Sequence, residues 1–162
     1  SKNMKTNKIT RPGSKNKKSS AKKKKIKGNY YKITSKSKKT VLYVKPASKN
    51  ITSVNIPSTV KIGGKRYKVT GIAANAFKNY KKLKKVTIGA NIRNIGKRAF
   101  YRCSNLKTVK MKTSKLVNSQ VGKQAFKGIY KKAVIKVPKK QLKAYKKLLK
   151  IRGVGKKVKI KK

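Results

Sequence analysis

The amino-acid sequence predicts an α/β solenoid: short parallel strands stacked side by side and joined by short helical or 3-10 returns. Three observations predict it. First, Ala76-Phe77, Ala99-Phe100 and Ala125-Phe126 recur at intervals of 23 and then 26 residues. Second, aliphatic residues keep constant offsets from each Phe: Ile72, Ile95 and Val121 stand five residues before it, while Val86, Val109 and Ile135 follow nine residues after. Ile88, Met111 and Val137 follow eleven residues after. Third, Leu83 and Leu106 open a Leu-x-x-Val-x-aliphatic run, and Ile51, Val54 and Ile56 repeat that spacing upstream.

A period of roughly 20–29 residues with this spacing is the pattern of a leucine-rich-repeat solenoid. One unit cannot cover its own apolar face, so stacking on neighbours supplies the core. Alternate strand residues point inward, which predicts that Val86/Ile88 and Val109/Met111 stack with the phenylalanines. A single-sheet β protein with coincidental periodicity is the competing architecture.

Taken in order, residues 1–28 read as a disordered basic tail or linker, because 12 basic residues sit among Ser, Asn, Gly and few apolar groups. Residues 29–162 form the repeat domain. Within it, 29–68 is an N-terminal β cap with a degenerate repeat, 69–137 holds three repeats, and 138–162 is a C-terminal helix and strand cap. "YYKIT" and "TVLYVKP" flank the polar "SKSKK" and read as a hairpin. "VKIGGKRYKVTGI" places two β-rich runs about Gly63-Gly64, a dipeptide suited to a tight turn. "ANAFKN" is the expected helical or 3-10 return. Pro138 suits the first turn of a helix through Lys150, with Leu142, Tyr145, Leu148 and Leu149 as its apolar stripe and Gly153 as its stop. The same helix can be read as a basic membrane-surface element, but a solenoid end must be covered and the stripe is narrow. "KKVKI" then alternates like an edge strand.

Composition bounds the chemistry. The 162 residues carry 52 basic side chains and no Asp, Glu or His, a formal charge of +52. Six of the 52 are arginine, so 46 are lysine. Lacking carboxylates and imidazoles, the chain offers no ordinary general acid/base pair, no Ser-His-Asp triad and no glycosidase dyad. No motif selects a Ser–Lys or Tyr–Lys pair from so many lysines, and the reading is that of a non-enzyme. No metal centre of familiar ligands can be assembled and no cofactor is expected. Cys103 is the one cysteine, so no internal disulfide can form, and its position suits core packing. No apolar run approaches the ~20 residues that span a bilayer, so no transmembrane segment is expected. The chain opens on Ser1 without an apolar export signal, and is read as a processed or truncated form.

"SVNIPSTVKIGGKRYKVTGIAANAFKNYKKLKKVTIGANIRNIGKRAFYRCSNLKTV" resembles the BspA-like, Treponema-type leucine-rich repeats of bacterial surface and secreted proteins. The likeness covers roughly residues 29–162 and rests on the "NAF…L..V.I…I..IG..AF..C..L..V" cadence. It implies an exported, adhesive or binding domain without enzymatic activity, secreted or held at the bacterial cell surface.

The candidate binding residues follow from placing the strands side by side. One outward column is Asn55, Thr87, Lys110 and Lys136, with Lys85, Thr108 and Val134 on one flank and Gly89, Lys112 and Pro138 on the other. Lys84 and Lys107 lie just before two of the strands. With Lys22, Lys23, Lys24 and Lys25 of the tail, these lysines (Lys84, Lys85, Lys107, Lys110, Lys112, Lys136) are the candidate polyanion contacts. Taken singly, surface lysines mostly keep a sheet face solvated. Solubility alone, however, is better served by mixed signs. The total absence of acids therefore points to partners that are anionic polymers or surfaces: teichoic acid, acidic glycans, extracellular DNA, anionic membrane. Lysine dominance and the lack of any nucleic-acid-binding signature make contact with nucleic acid nonspecific. The alternatives are an adhesin-like module for a host or cell-surface protein, an intracellular nucleic-acid-condensing protein, and a repeat protein engineered to high positive charge.

Overall fold

A computed structural model describes residues 22–162. In chain order the elements are β1 (Lys24–Ile26), β2 (Asn29–Ser35), β3 (Thr40–Pro46), β4 (Ser53–Ile56), β5 (Thr59–Ile62), β6 (Lys65–Ile72), β7 (Lys85–Ile88), β8 (Asn94–Ile95), β9 (Thr108–Met111) and β10 (Val134–Lys136). The helix α1 (Leu142–Ile151) and β11 (Lys159–Lys161) follow. Short 3-10 turns occupy Asn118–Gln120 and Lys139–Gln141.

The strands form two sheets. One is all parallel, in the order β11-β10-β9-β7-β4, and each rung aligns like residues: Val54, Val86, Val109, Ile135 and Ile160 are successive partners. These side chains point inward and all are buried, while their neighbours point out. The other sheet runs β1-β2-β3-β6-β5, with β8 also paired to β6. Here β3, β6 and β8 are parallel, and an isolated bridge joins Ile95 to Val121. The aliphatics five residues ahead of each Phe therefore build a second parallel ladder opposite the first.

Between the ladders runs an aromatic spine. Phe77, Phe100 and Phe126 stack at 4.9 and 5.1 Å with near-parallel rings. That spacing matches the strand spacing, because each unit supplies one ring per rung. Tyr43 of β3 extends the stack at 5.5 Å, and Tyr31 closes it edge-on. The Tyr43 hydroxyl is buried but donates to Asn29 Oδ1 at 2.6 Å, so its polar end is satisfied. Burial pushes the phenol pKa of both tyrosines up, to about 12 for Tyr31.

The returns take the bonding of the 3-10 alternative without running on into helices. Around Ala76-Phe77 the backbone closes by i→i+3 bonds, Ala76 N–H to Ala73 O and Lys78 N–H to Asn75 O. Asn75 and Asn79 then sit at φ 62° and 63°, as do Arg98 and Arg102 at 55° and 57° in the next unit. A left-handed residue at every fourth position ends each turn before a helix can propagate. The returns are thus consecutive turns, and α1 is the one α-helix among the described residues.

The first predicted hairpin is present, as β2 and β3. In the second, Gly63 and Gly64 both take positive φ, 56° and 79°, which a two-residue turn between β5 and β6 requires. The tail boundary is corrected at its C-terminal side: β1 pairs antiparallel with β2 from Lys24 to Ile26, because Gly28 at φ 80° lets the chain reverse. The rest of that expectation, residues 1–21, lies outside the described residues.

At the other end α1 buries Tyr145, Leu148 and Leu149 in the common core, so the stripe that could have met a membrane is already covered. The helix starts at Leu142 rather than at Pro138, whose extended backbone leads into the 3-10 turn first. It stops as predicted: Gly153 N–H bonds Lys150 O and Val154 N–H bonds Leu149 O, the two bonds of a Schellman motif. Tyr145 Oη donates to Thr113 O at 2.9 Å and accepts from Leu116 N–H at 3.1 Å, tying helix to solenoid.

Candidate functional site

The outward side of the parallel sheet is where most of the candidate lysines come together. Pairing aligns Asn55, Thr87, Lys110, Lys136 and Lys161 as one column across β4, β7, β9, β10 and β11. Lys110, Lys136 and Lys161 are exposed neighbours on consecutive strands, at the ~4.8 Å separation of a sheet. The adjacent column is Ser53, Lys85, Thr108, Val134 and Lys159. Lys112 follows β9 and is exposed, its N–H held by Ile88 O. Lys84 and Lys107 precede their strands on successive rungs, linked by a bond from Lys107 N–H to Lys84 O. Lys107 is also occupied locally, its Nζ lying 5.1 Å from the centre of the Tyr130 ring.

The tail lysines are placed elsewhere. Lys24 and Lys25 lie in β1, an edge of the other sheet, and Lys23 lies over the Tyr30 ring at 6.0 Å. Lys22 borders a cavity of about 660 Å³ with Lys24, Lys36, Lys65 and Tyr67. These four lysines are therefore not part of the Lys110–Lys136 column. Lys159 and Lys161 were missed by sequence reading: "KKVKI" reads as a strand, but its register against β10 depends on how α1 returns the chain.

Electrostatically the face is one-signed, because no Asp or Glu exists to close a salt bridge. Two unit charges ~4 Å apart repel by about 1 kcal/mol even in water. A column of ammonium groups therefore gains when a polyanion replaces its small counterions. The backbone beneath fixes where each lysine stem begins, while the exposed ammonium groups keep their rotamer freedom until an anion orders them.

Cys103 is buried and donates its Sγ–H to Phe77 O at 3.0 Å. Burial pushes the thiol up to about 12, while the Tyr80 backbone and the Lys81 charge act weakly in the other direction. The folded thiol holds its proton more tightly than the unfolded one, so it supports the fold below pH ~9 and loses that role as pH climbs toward 12. Little thiolate forms at pH 8, so iodoacetamide labelling is expected to be slower by orders of magnitude in native protein than in guanidinium. Mass-spectrometric time courses check this; equal rates would show that the core does not shield Sγ.

Among the described residues no group of three or more His, Cys, Asp or Glu exists that could hold a metal. No helix there is long and apolar enough to cross a membrane.

A family model described as the BspA type leucine-rich repeat region (6 copies) matches residues 47–149. No protein of curated function matches the chain. Among solved structures, a leucine-rich repeat protein from Bacteroides capillosus superposes with TM-score 0.59 at 23% identity, over 72% of this chain and 83% of its own. A leucine-rich cell surface protein from Faecalibacterium prausnitzii gives 0.56 at 23% identity, over 73% of this chain. A leucine-rich repeat protein from Bacteroides ovatus gives 0.50 at 22% identity, over 84% of this chain. The present chain spans 37% and 40% of the latter two, and at such identities the likeness is one of fold. The sequence match, by contrast, takes in well over half of the chain, and it falls on the very units whose strands and phenylalanines stack: the chain belongs to the BspA-type leucine-rich repeat family.

Proposed function

We propose that the domain is a non-enzymatic binding module, secreted or held at a bacterial cell surface, that attaches electrostatically to anionic polymers. The single observation behind this is the column Lys110–Lys136–Lys161, exposed on consecutive strands in a chain with no acidic side chain. Teichoic acid, acidic glycans, extracellular DNA and anionic membrane share what the face would recognise, a line of negative charges. Lys85, Lys112 and Lys159 widen the contact, and Lys22–Lys25 add a second, separate basic patch that works by multivalency. The F. prausnitzii neighbour is described as a cell surface protein, which supports the location proposed.

The test is retention on heparin and binding to double-stranded DNA as salt is raised. A contact neutralising 6–10 phosphates loses about 10³–10⁵ in DNA affinity between ~50 and ~200 mM salt. Retention on heparin at ~0.15 M salt and its loss at ~1 M are expected, with Lys110→Gln/Lys136→Gln/Lys161→Gln eluting earlier than wild type. Retention independent of salt would exclude the electrostatic mechanism.

The family match favours a second reading, an adhesin-like module for a protein partner, with charge steering the encounter. Moving lysines among exposed positions at constant total charge would abolish shape-specific recognition yet barely change polyanion retention.

A further inference from the structure

We infer that the free edge of β4 is a docking site for an extended acidic peptide, which adds to the parallel sheet as one more strand. In the sheet order β11-β10-β9-β7-β4, nothing among the described residues pairs β4 on its outer side. Lys85 N–H bonds Thr52 O, so Thr52, Val54 and Ile56 direct their backbone groups toward β7. By the alternation of a parallel ladder, Ser53 and Asn55 direct their N–H and C=O groups outward from the edge. Both residues are exposed.

The edge opens on a cleft. Cavities of about 540 and 430 Å³ meet along it, and Lys27, Asn29 and Asn55 line both. Lys61 and Arg66, cross-strand partners on the β5–β6 hairpin, line the larger one. Two unsatisfied backbone donors, two acceptors and three cations thus face the same trough.

β4 is also the unguarded edge. Lysine on an edge strand is a common protection against strand addition. β7, β9, β10 and β11 each contain lysine, and β11, the opposite edge, is Lys-Ile-Lys. β4 is Ser-Val-Asn-Ile, without one. In so lysine-rich a chain the residue that would block pairing is missing from a strand with an open side. A second copy is not the occupant, since its opposite edge β11 is Lys-Ile-Lys and two chains of formal charge +52 repel, whichever edges meet. A polysaccharide or nucleic acid could satisfy the cations but not the alternating backbone groups of Ser53 and Asn55. A peptide whose alternate residues are Asp or Glu satisfies both, with main-chain bonds supplying affinity and Lys27, Lys61 and Arg66 selecting charge.

The probe is the peptide Glu-Val-Glu-Val-Glu-Val-amide carrying fluorescein on its N-terminal nitrogen, titrated by anisotropy at ~0.15 M salt against the full chain, with parallel ¹H–¹⁵N spectra. Binding is expected to move the amide signals of Ser53 and Asn55. Methylating every second backbone nitrogen leaves the charge intact, and one of the two phases of methylation is expected to weaken binding about tenfold. Asn55→Pro removes an N–H that bonds nothing among the described residues, as edge strands allow, and is expected to cause the same loss while heparin retention stays as in wild type. Lys27→Gln/Lys61→Gln/Arg66→Gln is an independent variant that leaves the backbone alone and should weaken the peptide without touching Ser53 N–H. Equal affinity for both methylated phases, or signal changes confined to the Lys110–Lys136–Lys161 column, overturns the inference. A heparin result cannot substitute for either outcome, so failure here and failure of polyanion attachment remain distinct.

Discussion

Phe100→Ala is expected to cost the domain about 3–5 kcal/mol, the range for deleting a buried aromatic ring. Phe100 is fully buried and central, stacked on Phe77 at 4.9 Å and on Phe126 at 5.1 Å. Removing its ring opens a gap between two others that neighbouring rungs hold apart, so the site cannot collapse. For a domain of this size each kcal/mol shifts the melting temperature by roughly 2–4 °C, giving a fall of about 6–20 °C. Coupling in a stacked array passes only between neighbours, so the melt should also broaden as the two halves begin to unfold separately. Phe100→Leu keeps most of the volume and should cost clearly less. Thermal and urea melts followed by circular dichroism measure both; a loss below about 1 kcal/mol for Phe100→Ala would mean that the spine does not bear on stability.

Gly96→Ala should be comparably damaging for the opposite reason. A methyl group on Gly96 would fall inside contact distance of the Ala74 backbone, and one on Gly122 inside that of Lys97. Gly96 N–H bonds Ile72 O at 2.8 Å and Gly122 N–H bonds Ile95 O at 2.7 Å, so each glycine lies where one rung rests on the next. The obstructing atoms are backbone and cannot rotate aside. Overpacking of this kind costs about 1–3 kcal/mol and more where the chain cannot yield. The expected result is a loss of at least about 3 kcal/mol for Gly96→Ala or Gly122→Ala, against little change for Gly155→Ala, where the added methyl meets nothing within 4 Å. Equal melts for the three variants would show that the rungs can separate at no cost.

The candidate face was partly legible in the sequence. Lys110 and Lys136 share a column because their strands start at fixed offsets from Phe100 and Phe126, and pairing keeps that register. Lys161 was not legible, since a helix and two turns intervene before its strand meets β10. Lys22–Lys25 were read from charge alone as contacts of the tail; that Lys24 and Lys25 enter a strand of the other sheet is a matter of hairpin closure at Gly28 rather than composition. The open edge of β4 left no signal in the sequence, because an edge is defined by what fails to pair with it.

The returns mark the same boundary from the other side. "ANAFKN" has residues that tolerate a helix, and only the positive φ at Asn75 and Asn79 shows that consecutive turns form instead. That backbone is held by bonds to the next rung, Asn75 N–H to Lys97 O and Asn79 N–H to Tyr101 O. Long-range contacts overrode local preference.

By itself the sequence determined the repeat, its inward residues, the helix stripe with its glycine stop, and a charge that no part of the chain neutralises. These follow from periodicity and composition, which local chemistry reads directly. Tertiary structure alone decided that the Phe spine extends through Tyr43, that a second ladder faces the first, and which lysines stand side by side. It also decided which strand of the parallel sheet keeps an unpaired edge among the described residues. Each depends on register between segments distant along the chain, and register is settled only when rungs stack and bury their apolar sides together.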